Sequence, residues 1–241
     1  MTLEEFSNEF DTQVNSYNTI TFGSAESAYS INLDEYEKSV FLTKAQEEIV
    51  VSLYSGNFLQ ETFENTEQLR RYLSSLVYTT TIKDKELGYI GVSNNSSFFK
   101  LPDDVWFITY ETAELNDSAV SSTPKKVLVT PVSQDEFYKI ERNPFKGASK
   151  HRVLRLDITD NMVEIVSQYN IDSYTVRYLK KPTPIILINL PDGLTIDSEA
   201  TMSDCLLDPS IHRSILDRAV QLAIAGRTPK TKEDNSKESD K

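Results

Sequence analysis

Apolar residues recur at helical spacing near both ends of this chain and alternate along short segments through its middle. Leu3, Phe6, Phe10 and Val14 share one helical face. Thr2 and Glu5 have the spacing of a capping box, so residues 3–17 are predicted as a helix. Residues 18–33 are polar and contain Gly and Ser, which predicts a loop. A second helical region has two candidate parts. One is a turn or two after Asp34; the firmer one starts after Thr43, with Gln46 three residues later. Ile49, Val50 and Leu53 form its stripe, and Gly56 is a candidate C-cap. A third helix is predicted over 65–77, opened by Asn65 with Gln68 as reciprocal cap. Its buried stripe is Leu69, Tyr72, Leu73 and Leu76.

The pattern then changes period. Residues 77–82, 98–101, 105–115 and 127–130 read as strands, the last stopped by Pro131. Ser133 with Glu136 has the spacing to cap a short helix ending at Ile140. Further strands are expected over 152–158, 163–169, 174–179 and 185–187. Along 174–179, Tyr174, Val176 and Tyr178 point to one face, Thr175, Arg177 and Leu179 to the other. Short strands with no long helix between them predict an antiparallel sheet or sandwich. Asp208 as N-cap and Pro209 at N1 then open a strong C-terminal helix. Ile211, Ile215, Leu216, Ala219, Leu222 and Ala223 recur along it, and Gly226 is placed to end it.

The expected fold is therefore α+β. The N-terminal helices and the C-terminal helix form a helical bundle, with a mainly antiparallel β region inserted. The predicted boundaries are 1–76 for the helical part, 77–205 for the insertion, 206–226 for the returning helix and 227–241 for a charged flexible tail. The tail holds no large apolar residue, which predicts disorder in isolation. The 241 residues suffice to bury a core without staples.

Charge adds a division that the apolar pattern lacks. Residues 1–67 hold 13 acids against 2 bases, and the rest 24 against 23, within a formal net charge of −12. A basic nucleic-acid-binding surface is a poor fit to that balance. The acidic quarter reads either as a solvated helical surface or as a face that repels DNA or meets a basic partner.

Candidate chemistry is sparse. Cys205 is the single cysteine, so neither an intrachain disulfide nor a cysteine-rich zinc site is possible. His151 and His212 are the two histidines. His151, between Lys150 and Arg152, reads as a surface residue. His212 lies near Cys205 and Asp208, and a nucleophilic cysteine would need a fixed thiolate–imidazolium geometry there. Asp103–Asp104 after Pro102 reads as a polar turn rather than an acid/base pair. There is no Walker loop, Gly-x-Gly-x-x-Gly, His-Glu-x-x-His or Gly-x-Ser-x-Gly, and 7 glycines leave little material for a phosphate cradle. Arg152, Arg155, Arg177, Lys180 and Lys181 are the densest basic set. The strand alternation sets Arg177 on the face opposite Tyr174 and Tyr178, which weakens an aromatic-plus-basic platform. The N-terminus is acidic and short of apolar residues, unlike a signal peptide, and the run 185–188 is too short to span a bilayer. A soluble chain made in the cytoplasm is expected.

Four segments, in order, carry a resemblance: Leu-Thr-Lys-Ala-Gln-Glu-Glu-Ile-Val from Leu42, Leu-Pro-Asp-Asp-Val-Trp from Leu101, Tyr-Thr-Val-Arg-Tyr-Leu-Lys-Lys-Pro-Thr-Pro-Ile-Ile-Leu from Tyr174, and Asp-Pro-Ser-Ile-His-Arg-Ser-Ile-Leu-Asp-Arg-Ala-Val-Gln-Leu-Ala from Asp208. The order resembles the head–tail connector and ring (tail-adaptor) proteins of tailed bacteriophages, of the crAss-like type. The resemblance implies a structural virion protein without catalysis or cofactor. It implies a homo-oligomeric ring, usually of twelve copies, stacked below the portal. Its partners would be its own copies, the portal and neighbouring ring or tail proteins, with DNA passing unbound and no membrane contact. It also implies that the 227–241 tail reaches a neighbouring ring.

On that reading Glu4, Glu5, Glu9, Asp11, Glu47 and Glu48 face a lumen or a basic partner. Trp106, Phe107, Tyr110, Arg177, Lys180 and Lys181 are candidate subunit contacts, and Trp106 reads equally as core. Two other classes stay open. One is an intracellular adaptor that docks a basic partner on the acidic helices. The other is a small hydrolase using Cys205, His212 and Asp208.

Overall fold

The computed structural model describes residues 1–22, 32–56, 67–93, 95–116, 125–159 and 161–227. In chain order the elements are α1 (Leu3–Phe22), α2 (Glu35–Ser55), α3 (Glu67–Leu73), β1 (Val77–Ile82), β2 (Ser96–Lys100), β3 (Val105–Leu115), β4 (Lys125–Pro131), α4 (Phe137–Glu141), β5 (Arg152–Thr159), β6 (Met162–Val166), β7 (Ile171–Lys180) and α5 (His212–Arg227). The fold is α+β. Leu76–Lys181 forms one compact unit, and the chain on either side of it forms the other.

In the helical unit the expected stripes are the core. Phe6, Phe10 and Val14 of α1, Ile49, Val50 and Leu53 of α2, and Ile215, Leu216 and Ala219 of α5 are buried. The α1 capping box forms: Thr2 N–H donates to Glu5 Oε2 at 2.8 Å and Glu5 N–H to Thr2 Oγ1 at 3.2 Å. The helix then continues to Phe22, past the predicted end at 17; the remainder of that predicted loop, 23–31, lies outside the described residues. Asn65 and 228–241 lie outside them as well. From Glu67 the third helix is short, and a 3-10 turn at Ser74–Leu76 leads into β1.

Two features of α2 depart from expectation. It is one continuous helix, capped by Asp34, whose carboxylate accepts from Glu37 N–H, while Glu37 caps back. It ends at Gly56, which adopts the left-handed φ of 77° that glycine tolerates. Thr43 and Gln46 are therefore mid-helix, buried, and not a cap. Together with Ser39 they form a polar stripe that holds an extended strap. Ser39 Oγ accepts from Leu187 N–H at 3.0 Å and Thr43 Oγ1 from Ile185 N–H at 3.1 Å. Gln46 Nε2 donates to Thr183 O at 2.8 Å. The periods match because two extended residues and one helical turn of three to four residues each advance about 5–7 Å. The run 185–187 makes a single bridge, Ile186 to Ser203, rather than a strand. Accordingly 182–205, expected in the β insertion, belongs to the helical unit.

Lys38 joins α1 to α2. Its side chain is 3% exposed and lies 2.7 Å from Asp11 and 2.9 Å from Glu35. Burial would lower the ammonium pKa, but hydrogen bonds to the two carboxylates outweigh it and raise the pKa above its ordinary value. The C-terminal helix opens with a 3-10 turn at Pro209–Ile211, and the Asp208 side chain accepts from Ser210 N–H as its cap. Gly226 lies inside α5 rather than after it.

The β unit is a single seven-stranded mixed sheet, ordered β1-β7-β3-β4-β5-β6-β2. It is antiparallel except for β4–β5, a parallel pair not anticipated from the sequence. The α4 segment makes that crossover. It lacks a side-chain N-cap, so Ser133 does not cap it as expected. The parallel pair has a consequence for the sequence pattern. Strands β5 and β6 are buried on both faces: Val153, Val163 and Ile165 enter the main core, while Leu154, Leu156 and Val166 pack on Phe137.

Thr43→Val leaves both backbone groups of Ile185 without their buried partner, and a loss of about 1–3 kcal/mol is expected in urea unfolding. Lys38→Met should cost a similar amount near neutral pH, about 1–3 kcal/mol, less than a fully buried pair because Asp11 is half exposed. A raised folded-state lysine pKa stabilises below the unfolded value and loses that effect as pH rises through the folded one. The stability gap between wild type and Lys38→Met should stay constant from about pH 6 to 9 and close above about pH 10.5.

Candidate functional site

The six acids singled out from the sequence have unequal surroundings. Glu5 caps α1, Asp11 pairs with Lys38, and Glu48 receives Arg218 Nε at 2.7 Å from α5. Glu4 is exposed, and Glu9 and Glu47 are half-buried. The helical surface thus keeps its acidic character while several of its carboxylates also hold helix to helix. Gln13 of α1 donates to Asp217 of α5 at 2.8 Å in the same manner.

The candidate contact residues fall into three places in the β unit. Trp106 and Phe107 stack with ring centroids 4.8 Å apart and line a groove of about 530 Å³. Leu101, Val105, Ile108 and Ile158 add its apolar walls, and Arg155, Asp157 and Thr159 its polar side. Trp106 is half-buried, so it belongs to a groove wall rather than to the sealed core. Tyr110 and Arg177, paired across β3 and β7, line a second groove of about 370 Å³. Lys180 and Lys181 lie at the Asp103–Asp104 turn. Lys180 pairs with Asp104 at 3.4 Å and sits 5.7 Å over the Tyr78 ring, while Lys181 N–H donates to Asp104 O. Tyr178 also donates to Asp104, and burial with that carboxylate pushes its phenol up to about 12.

The structure disperses the basic set. Arg177 is exposed, Arg152 donates to the carbonyls of Phe145 and Lys146, and Arg155 is buried. Arg155 lies 3.4 Å from Glu111, which accepts from Tyr174 Oη at 2.7 Å. Burial raises the Glu111 pKa despite the guanidinium, and burial raises that of Tyr174. The Arg155 Nε and Nη1 groups make no hydrogen bond. A 92% buried guanidinium ion-paired to Glu111 at 3.4 Å and Asp157 at 3.5 Å, on the wall of an aromatic groove, is a feature that the strand alternation did not reveal.

Cys205, His212 and Asp208 do not assemble. His212 Nε2 meets Leu207 O at 3.0 Å and Nδ1 meets the Met1 amine at 2.9 Å. That arrangement fixes a neutral ring, with Nε2–H donating and Nδ1 accepting, and burial lowers the His212 pKa. Asp208 is taken up by Ser210, and Arg71 lies 3.7 Å from it. Burial pushes the Cys205 thiol up to about 11, the opposite of an activated nucleophile. Among the described residues, no three His, Cys, Asp or Glu side chains are placed to hold a metal, and no helix is long and apolar enough to cross a membrane.

One surface went unnoticed in the sequence. In the β1–β2 connection, Leu87 is 89% and Ile90 100% exposed, with Tyr89 and Val92 also at the surface. The signal that could have revealed it is the uncharged run Leu-Gly-Tyr-Ile-Gly-Val at 87–92, set between Lys83-Asp-Lys-Glu and a polar Ser/Asn stretch.

The family described as phage tail ring protein 3/4 matches residues 1–235. Ring protein 3 of Bacteroides phage crAss001 is 48% identical over 234 residues, covering 96% of this chain and 98% of that protein. Ring protein 4/5 of the same phage is 32% identical over 236 residues, covering 93% of each. With similarity along nearly its whole length, the chain belongs to the phage tail ring protein 3/4 family.

Proposed function

We propose that this chain is a non-catalytic subunit of a homo-oligomeric ring, usually of twelve copies, in the head–tail junction of a crAss-like virion. The ring stacks near the portal and passes DNA without gripping it. Neighbouring ring or tail proteins and the portal are its partners, and the 227–241 tail reaches one of them.

The division of charge carries the reading. The β unit, residues 76–181, has 14 acids and 14 bases, whereas residues 1–67 hold 13 acids against 2 bases. A surface made for copy-to-copy contact gains from balanced, complementary charge. A surface past which DNA slides gains from like charge, because each neutralised phosphate adds salt-dependent affinity. The acidic helices bearing Glu4, Glu5, Glu9, Asp11, Glu47 and Glu48 are assigned to the lumen. Trp106, Phe107, Tyr110, Arg177, Lys180 and Lys181 of the β unit are assigned to subunit contacts. The raised thiol of Cys205 supports a role without chemistry.

Quantitative mass spectrometry of purified virions should find the chain at a low fixed copy number, about a dozen on the family resemblance, against hundreds of the capsid protein. Absence from clean particles would overturn the assignment. A salt-sensitive complex with a basic protein, without self-association, would replace it with a docking module. The Cys205 thiol should react with maleimide at pH 7 far more slowly than a free cysteine, and Cys205→Ala should leave virion incorporation unchanged.

A further inference from the structure

Two surfaces of this chain are alike in kind and opposite in sign. Residues 138–152 of the β unit hold five Lys or Arg against Glu141 alone, and residues 182–211 of the helical unit hold five Asp or Glu and no Lys or Arg. Each also shows apolar side chains to water: Tyr138 and Phe145 on the first, Ile188, Leu194, Met202 and Leu206 on the second.

The basic surface is built around Phe145, which is 87% exposed. Its loop is held in place by hydrogen bonds. Phe145 N–H donates to Asn143 Oδ1 at 2.9 Å, and Arg152 Nη1 donates to the carbonyls of Phe145 and Lys146 at 3.3 and 3.2 Å. Gly147 N–H donates to Asn143 O at 2.8 Å, and a Cβ on Gly147 would come within 2.8 Å of Glu141 O, which keeps that position a glycine. Arg142, Lys146 and Lys150 are exposed on the same loop, and Lys125 joins them from β4, its Nζ 3.2 Å from His151 Nδ1. In a chain of net charge −12, cations are gathered around an aromatic ring that water disfavours.

The acidic surface is a hairpin in the strap that follows β7. Ile186 and Ser203 bridge, and Leu190 N–H donates to Ala200 O at 2.8 Å. Ile196 and Glu199 bridge around a tight turn, in which Asp197 and Ser198 adopt left-handed φ of 49° and 70°. Ile186, Leu190 and Ile196 pack inward with Tyr36, which leaves Ile188 and Met202 outward. Asp192, Glu199 and Asp204 are exposed along the same hairpin.

An apolar centre with a charged rim is the composition of an interface. Complementary rims select a partner and fix its register, whereas like rims repel it. Each of these surfaces finds its complement on the same chain, so copies supply the two in equal number. Duplex DNA would satisfy the cations but would leave Ile188 and Met202 uncovered.

We infer that the Phe145 surface of one copy docks on the 188–206 hairpin of the next, with Phe145 against the hairpin's apolar side chains and the surrounding lysines on its carboxylates. This rests on the ring reading above and names one of its contacts. Two different surfaces that meet make a heterologous contact, the kind that closes into rings.

The test uses phage whose full-length chain carries either Lys146→Glu with Lys150→Glu or Asp192→Lys with Glu199→Lys. All four positions are exposed, so both isolated variants should melt like wild type. Each variant alone should fall about tenfold or more in copies per particle, because like charges then meet. Supplying both variants in one infected cell should restore the copy number, since each offers the other the missing sign. A contact inside one copy would gain nothing from that mixture. Normal incorporation of either variant alone, or no recovery from the mixture, would overturn the inference and leave the ring standing. In wild-type virions a carbodiimide, which joins amine to carboxylate without a spacer, should link Lys146 or Lys150 to Asp192 or Glu199. Links from those lysines only to a different protein would overturn the second copy as occupant. Binding of the isolated chain to duplex DNA, abolished by Lys146→Glu with Lys150→Glu, would assign the basic surface to DNA instead. Should a variant melt lower, the wild-type link map decides alone. Absence of the wild-type chain from virions would remove the ring reading itself.

Discussion

The antiparallel pairing of β1 with β7 is the constraint on which the rest depends. It sets Val77 opposite Leu179, and Val105 of β3 opposite Lys180. Paired strands lie about 5 Å apart, so the chain leaves the helical unit and returns to it at neighbouring points. A seven-stranded sheet can then be inserted between α3 and the 182–190 strap without separating the two parts of the helical unit. On its return the chain needs a docking track at once, and the Ser39–Thr43–Gln46 stripe of α2 provides one in side-chain hydrogen bonds to the backbone of the strap. The fold is thus closed twice, by a strand pair and by a helix stripe that reads the period of an extended segment.

Local signals made the elements legible and left their partners hidden. The α1 capping box, the Phe6–Phe10–Val14 stripe and the Tyr174–Val176–Tyr178 alternation depend on near neighbours in sequence, and each is found as read. Thr43 and Gln46 looked like a cap because a cap and a strap-binding stripe use the same residue types at the same spacing. Only the distant segment 183–187 distinguishes them. The parallel β4–β5 pair was hidden for a related reason. Both strands are legible from their own residues, but their pairing and direction depend on the crossover through α4, which packs on β5 through Phe137.

The surfaces were legible by composition and obscure by position. Trp106 and Phe107 stand out as large aromatics in a strand, yet their groove also requires Ile158, which lies on another strand far along the chain. Arg155 read as one of a basic set by composition alone. Double-sided burial of β5 takes it inside, where Glu111 and Tyr174 offset part of the penalty for its charge. The acids of the helical unit carried their sign from the sequence but not their second role, in which Asp11 and Glu48 join helices through Lys38 and Arg218.

These two roles limit each other in an informative way. A helical layer with 13 acids and 2 bases in its first 67 residues repels itself. Lys38, one of those two bases, is accordingly 97% buried between two carboxylates rather than offered to solvent. Each internal pair lowers the repulsion between helices while the layer keeps its net negative charge, so the unit stays folded without surrendering its field. The β unit, balanced at 14 against 14, has no such conflict and can commit its surface to shape. That commitment shows in Glu164, a buried carboxylate used to hold an uncharged loop in the open. Charge organises one unit and apolar shape the other.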